Sequence, residues 1–282
     1  MSCPLCDDTG WKGVEQDGTR RVVRCDCWRE NVVLRAMKAA SVPPRYSATS
    51  LDNFQDYSDS LVAAVTRARA FVAKFPIFDK GLLLLGAPGV GKTHLAVAIV
   101  KEVIANTGAR ARFCDTRELL RMIRDTYNPV VKTTEIEVIR PIMEAELLVL
   151  DDLGAERTTE WVDETLNLII NTRYNYRRAT IFTSNYPDRE LDEKSIVETL
   201  QERVGARIYS RLHEMCEFIT MEGMDFREVG PNPTSEQLRA YLKNGPKKLP
   251  LRAGRQARAQ LREPSVRDGR ADLKWPGGRA GS

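Results

Sequence analysis

No stretch of this 282-residue sequence approaches the roughly 20 consecutive apolar residues that a membrane-spanning helix needs, so no membrane contact is expected. The start, Met1-Ser2-Cys3-Pro4, lacks the charged and then apolar segments of a secretory leader, which points to the cytoplasm. Histidine is scarce. His94 and His213 are the only two, neither has an evident ligand partner, and both read as structural. Net charge is also low, at +4, but it hides an asymmetry. From Lys243 onward there are 11 Lys and Arg against 3 Asp and Glu, an excess of +8 that leaves −4 for the rest. Beyond about Val229 apolar periodicity is missing and Pro, Gly and Arg accumulate, so a disordered basic tail over 230–282 is expected. Such a tail either adds salt-sensitive affinity for nucleic acid or only solubilises the chain.

Six cysteines in a cytoplasmic chain point to metal or free thiols before disulfides. Cys3 and Cys6 form a CxxC pair, Cys25 and Cys27 a tighter CxC pair, and the β-prone Arg21-Val22-Val23-Arg24 lies between them. Two thiolate pairs joined by a hairpin match what tetrahedral Zn²⁺ needs, and in so short a segment the metal would supply the folding energy. No βαβ pattern surrounds the CxxC, which argues against a redox motif. Residues 28–40 read as a helix with Val33, Leu34 and Met37 on one face, suited either to a partner or to the chain's own body. Ser41-Val42-Pro43-Pro44 breaks it, which divides a region 1–41 from a body 42–229.

The body is organised around Gly86-Ala87-Pro88-Gly89-Val90-Gly91-Lys92-Thr93, between the apolar run Leu82–Leu85 and the helix-like His94–Val100. Strand, glycine-rich turn and helix start are the context that the phosphate-binding pattern GxxxxGK[ST] requires. Glycines let backbone N–H groups close on phosphate oxygens, and the helix N-terminus adds a favourable dipole. Lys92 is placed to reach the β- and γ-phosphates of ATP, and Thr93 to complete a Mg²⁺ shell.

A second signature is Leu147-Leu148-Val149-Leu150-Asp151-Asp152. A buried strand would deliver Asp151 to Mg²⁺ and leave Asp152 to polarise the attacking water. Two acids at a core strand end are costly without a cation. Thr180–Asn185 reads as a neighbouring strand ending in an amide, Asn185, able to sense γ-phosphate. Further strands are expected at Ala111–Cys114 and Phe218–Thr220, with Cys114 an ordinary buried thiol. Helices are expected at Leu61–Phe75, after a Thr116 cap, and over Trp161–Arg178. In a helix from Ile196 to Arg211, the residues Arg203, Arg207 and Arg211 at four-residue spacing would share one face. That row is either a salt-bridged surface or a source of an arginine finger for a neighbour's γ-phosphate. The expected architecture is α/β: a parallel five-stranded sheet with helices on both faces, nucleotide at the carboxyl strand ends.

Together these motifs resemble the DnaC/DnaI-type helicase loaders of bacteria and phages, AAA+ ATPases whose relatives include the IstB-like ATPases of IS21-type transposons. The likeness runs from about Val42 to Arg227 and includes Val42-Pro43-Pro44-Arg45-Tyr46 and Asp52-Asn53-Phe54. Leu83 through His94 is similar to the family's Walker A, Leu150 through Glu156 to its Walker B, and Asn185 to its sensor 1. Glu202-Arg203 through Arg211 resembles the arginine-finger segment; spacing favours Arg207, with Arg211 the alternative. Arg227, after Asp225-Phe226, resembles sensor 2. The resemblance implies ATP binding and slow hydrolysis, since Asp152 stands where many AAA+ motors carry Glu. It also implies a region 1–41 that grips a DnaB-type replicative helicase, a body that binds single-stranded DNA, and nucleotide-dependent homo-oligomers. An IstB-like transposition helper acting on duplex DNA is the alternative. A small-molecule P-loop kinase is disfavoured by Asn185 and the arginine row. A zinc adaptor with a relic nucleotide site would bind no ATP.

Overall fold

In a computed structural model the chain is described at residues 3–7, 9, 11–16, 19–157, 159–188 and 198–229. The tail expected over 230–282 lies outside them. The chain opens with an antiparallel hairpin, β1 (Trp11–Gln16) and β2 (Thr19–Arg24), followed by α1 (Asp26–Ala39). A short 3-10 turn at Pro44–Tyr46 leads towards α2 (Asp59–Lys74), started by Ser58, whose hydroxyl accepts the Leu61 amide. Then come β3 (Gly81–Leu85), α3 (Lys92–Thr107), β4 (Ala111–Asp115) and α4 (Thr116–Asp125). They are followed by α5 (Glu135–Glu144), β5 (Leu147–Asp151), α6 (Glu160–Asn175) and β6 (Ala179–Ser184). The body closes with α7 (Leu200–Met215), β7 (Cys216–Thr220) and α8 (Phe226–Val229).

β3 to β7 form one parallel sheet in the order β4-β5-β6-β3-β7. Parallel strands covered on both faces read as continuous apolar runs, and Leu82 to Leu85 and Leu147 to Leu150 are all buried. Successive side chains go to opposite faces: Leu82, Leu84, Leu147 and Val149 join a core with α2 and α3, while Leu83, Leu85, Leu148 and Leu150 join one with α4 to α7. Truncating Leu83, fully buried, to Ala would cost about 2–5 kcal/mol. Register aligns Asp115 with Asp151, and Leu85 with Ser184, so the functional ends of these strands share one edge.

Three expectations need correction. In α1, Val33 and Met37 pack on the body's core, but Leu34 points outward, 62% exposed. This helix lies against α3 and β4; the Ala39 carbonyl accepts from Arg112 at 2.6 Å and the Ala40 carbonyl from the Phe113 amide at 2.7 Å. The cap of α4 is Asp115, whose Oδ1 accepts the Arg117 and Glu118 amides at 2.9 and 3.1 Å. Thr116 is inside the helix, and its buried hydroxyl donates to the Asp151 carbonyl at 2.7 Å. The arginine row of α7 does not share a face. Gly205 has φ 78° and ψ 155°, an extended conformation open essentially to glycine alone, and it divides the helix between Arg203 and Arg207.

Candidate functional site

The turn between β3 and α3 wraps around the helix start through positive φ at Gly86, Gly89 and Gly91. At Gly89 a Cβ would lie 1.8 Å from Asp225 Oδ1, and the Gly89 carbonyl accepts from the Phe226 amide at 3.2 Å. A side chain there would have to displace the Asp225 carboxylate and hold a φ of +83°. Lys92 opens α3, and its Nζ donates to the Gly86 and Ala87 carbonyls, each at 2.8 Å. Burial pushes the Lys92 pKa down to about 8, against the pull of Asp152 and Asp151.

Thr93 donates its hydroxyl to the Asp151 carboxylate at 2.9 Å. Thr183, from β6, donates to Asp151 Oδ1 at 2.6 Å. Burial raises the Asp151 pKa, while the Thr183 and Thr93 hydroxyls oppose the rise. A buried acid beside a threonine hydroxyl is a hard-oxygen donor set that fits Mg²⁺. Asp152 sits one residue beyond β5 with φ +57°, its amide donating to Thr183 Oγ1 at 2.9 Å. Asn185, at the end of β6, donates its amide to Asp152 Oδ1 at 2.6 Å.

These groups border a cleft of about 990 Å³, together with Pro88, Val90, His94 and Arg227. Its other wall was not anticipated as a site: Arg45, Tyr46, Asn53, Phe54 and Gln55 line it. Only the similarity of that segment to the loaders pointed to it. His94 packs against this wall from the start of α3, with Nε2 3.2 Å from Asn53 Oδ1 and its ring edge-on to Phe54 at 5.4 Å. Burial lowers its pKa, so the neutral ring is favoured.

Arg207 and Arg211 are not brought to this cleft. They border a separate depression of about 410 Å³ with Asp163, Glu164, Asn167 and Asn171. Arg211 Nε donates to Asn171 Oδ1 at 3.0 Å, and its terminal nitrogen to the Arg207 carbonyl at 3.1 Å.

At the other end of the chain the four cysteines converge. Cys3 and Cys25 sulfurs are 3.8 Å apart, Cys6 and Cys27 sulfurs 3.2 Å, and all four lie within 4.8 Å of one another. A tetrahedral Zn²⁺ with Zn–S of about 2.3 Å sets its sulfurs roughly 3.8 Å apart, so the residues fit that ion. The neighbouring Cys6 thiol pushes the Cys27 thiol well up, and a cation would reverse that. Cys114 is a half-buried thiol whose pKa burial pushes up to about 12.

Comparison with known proteins bears on this geometry. The sequence model of the family described as IstB-like ATP binding protein matches residues 22–229. The replicative helicase loader DnaC of Escherichia coli (strain K12) is 24% identical over 187 residues, covering 65% of this chain and 72% of that protein. Among solved structures, the DnaC helicase loader matches at 34% identity and TM-score 0.57, over 64% of this chain and 100% of that one. The DnaI structure matches at 29% identity and TM-score 0.53, over 69% of this chain and 95% of that one.

Proposed function

Because the chain belongs to the IstB-like ATP-binding family and is homologous to the DnaC and DnaI loaders, we propose that it is an ATP-dependent loader of a DnaB-type replicative helicase. The observation that carries this reading is the Asp152–Asn185 pair beside buried Asp151, in a body homologous to loaders. In this scheme Lys92 and the backbone of Gly86–Gly91 hold the phosphates, and Arg227 closes the cleft above them. Thr93 and Asp151 would hold Mg²⁺, which supplies charge neutralisation at the β- and γ-phosphates. Asp152 orients the attacking water, and Asn185 fixes the carboxylate that does so.

Arg207 and Arg211, facing away from their own cleft, suit a neighbour's γ-phosphate. Subunits meeting head to tail would use that surface and build a ring or open spiral. ATP binding favours this assembly and its hold on single-stranded DNA; hydrolysis releases it. The cysteine module, with Leu5, Val22 and Leu34 exposed, provides apolar surface for the helicase, and the four thiolates would hold Zn²⁺ there. The proposed division of labour is therefore 1–41 for zinc and helicase, 42–229 for ATP and DNA, and 230–282 as the basic tail.

The test is anisotropy of labelled single-stranded DNA, paired with pull-down of the replicative helicase from the same cells. Tight DNA binding with Mg–ATP, lost in Lys92→Ala, and helicase capture through residues 1–41 are expected. Binding that ignores Lys92 contradicts the scheme. The family description favours one second reading, a transposition helper. Such a protein would bind and bend duplex DNA and capture no helicase.

A further inference from the structure

Arg203 lies among the α7 arginines in sequence but on the other side of the Gly205 break in space. Its Nε donates to the Gly154 carbonyl at 2.8 Å, and a terminal nitrogen donates to the Glu156 carbonyl at 2.5 Å. The other terminal nitrogen pairs with Glu198 at 3.1 Å, and the guanidinium lies over the Tyr186 ring at 5.0 Å. Only 16% of this side chain is exposed. The helix start from which it departs is itself fixed: Glu202 accepts the Thr199 amide at 2.6 Å, and Thr199 accepts the Glu202 amide at 3.3 Å.

The two carbonyls that Arg203 ties down belong to the turn carrying Asp152. That turn closes through the Ala155 amide to the Asp152 carbonyl at 3.2 Å. Asp152 has φ +57°, a left-handed conformation that costs a non-glycine residue and persists where its surroundings hold it, while Gly154 takes its φ of +86° without strain. On one side β6 supplies it: Thr183 accepts the Leu153 amide at 2.8 Å, and Ser184 donates to the Leu153 carbonyl at 2.8 Å. Beyond Gly154, among the described residues, the side chains that anchor the turn are Arg203 and Arg117; Arg117 is over half exposed, with a longer 3.3 Å bond to the Ala155 carbonyl and a terminal nitrogen 3.9 Å from the Asp152 carboxylate. Contact at Gly154 is close: a Cβ there would stand 3.2 Å from Arg203 Cβ. A planar guanidinium spanning two carbonyls fixes direction as well as distance, which an ammonium does not.

We infer that Arg203 is a positioning residue for hydrolysis within its own subunit: it holds the Gly154–Glu156 segment so that Asp152 stays in register with Asn185. The inference rests on the reading of Asp152 as the acid that orients water. It divides α7 into two roles, an arginine that serves its own site before Gly205 and arginines that serve a neighbour after it.

The test measures nucleotide affinity by calorimetry and steady-state hydrolysis for the full chain, Arg203→Ala and Arg203→Lys. Arg203→Ala is expected to keep ATP affinity and KM within about twofold while kcat falls about 100-fold, the cost of misplacing a catalytic group by an ångström or so. Arg203→Lys is expected to recover only part of kcat. Mixing then separates the two roles. Asp152→Asn subunits carry every arginine and no working acid; added to Arg203→Ala subunits, they should restore nothing. Added to the Arg207→Ala or Arg211→Ala variant that lacks the trans arginine, they should restore activity. Wild-type kcat in Arg203→Ala, restoration of that variant by Asp152→Asn, or lost ATP affinity in a folded Arg203→Ala overturns the inference. Should Arg203→Ala not fold, Arg203→Lys carries the same arms: lowered kcat at unchanged affinity supports it, wild-type kcat overturns it. A wild-type chain that hydrolyses no ATP overturns instead the reading of the site beneath it.

Discussion

The Thr93 hydroxyl donates to both oxygens of Asp151, at 2.9 and 3.1 Å, across 58 residues of sequence. The bond joins the start of α3 to the end of β5, the two elements that carry the phosphate turn and the acids. It also explains how a carboxylate that is only 9% exposed is tolerated: Thr93 and Thr183 both solvate it. Thr93→Val removes one of these donors from a buried acid and should weaken Mg–ATP affinity far more than the affinity for metal-free ATP. Calorimetry with and without Mg²⁺ reads the difference.

Lys92 gives a prediction with two signs. Its folded pKa of about 8 lies below the ordinary lysine value of 10.5, so below about pH 8 burial of the ammonium opposes folding. As pH rises through the window between those values the unfolded chain binds more protons, and this contribution to stability increases. Lys92→Met should therefore hold or raise the melting temperature at pH 7 while abolishing ATP binding. Wild-type ATP affinity should fall as pH rises beyond about 8, because the neutral amine no longer attracts phosphate. A melting temperature several degrees lower in Lys92→Met would count against this account.

Asn185→Ala should leave ATP bound but slow its hydrolysis by about 100-fold, since the Asp152 carboxylate loses the amide that orients it. Single-turnover kinetics, which separates binding from chemistry, checks this.

The cysteine cluster predicts one zinc per chain in natively purified protein, measured by elemental mass spectrometry. Cys25→Ser should lower that content sharply, and chelation should alter the hairpin while the five-stranded sheet remains intact. Full retention of structure and stability by a zinc-free hairpin would contradict the metal's proposed role there.

Gly205→Ala places a Cβ where φ is 78° and ψ 155°, yet space is not the obstacle, with Asp163 Oδ1 3.6 Å away. The cost is backbone strain of about 1–3 kcal/mol, read by urea denaturation. No measurable loss would mean that α7 can run through as a continuous helix.

The sheet and phosphate turn were legible because burial on both faces leaves unbroken apolar runs, and Leu82–Leu85 and Leu147–Leu150 end in residues with no other business at a core strand end. α5 was not foreseen, although Thr134 and Glu137 form its cap; Pro141 inside it masks the helical pattern. Spacing placed Arg203 with Arg207 and Arg211 because periodicity assumes a continuous helix, and a lone glycine does not announce an extended conformation. Arg173 was equally hidden. Fully buried, it donates to Thr180 and to the carbonyls of Ile142, Ala145 and Ala179, an anchorage no charge pattern reveals. Burial lowers its pKa to about 9. The cleft wall from Arg45 to Gln55 lies in a segment without regular periodicity, and only folding brings it opposite Gly91 and His94.

The central claim is that Mg–ATP occupies the cleft between the glycine turn and the two aspartates. Isothermal calorimetry of Mg–ATP into the purified full chain tests it most directly. Saturable one-to-one binding, lost in Lys92→Met, is the predicted result; no binding heat from well-folded wild-type protein would contradict it.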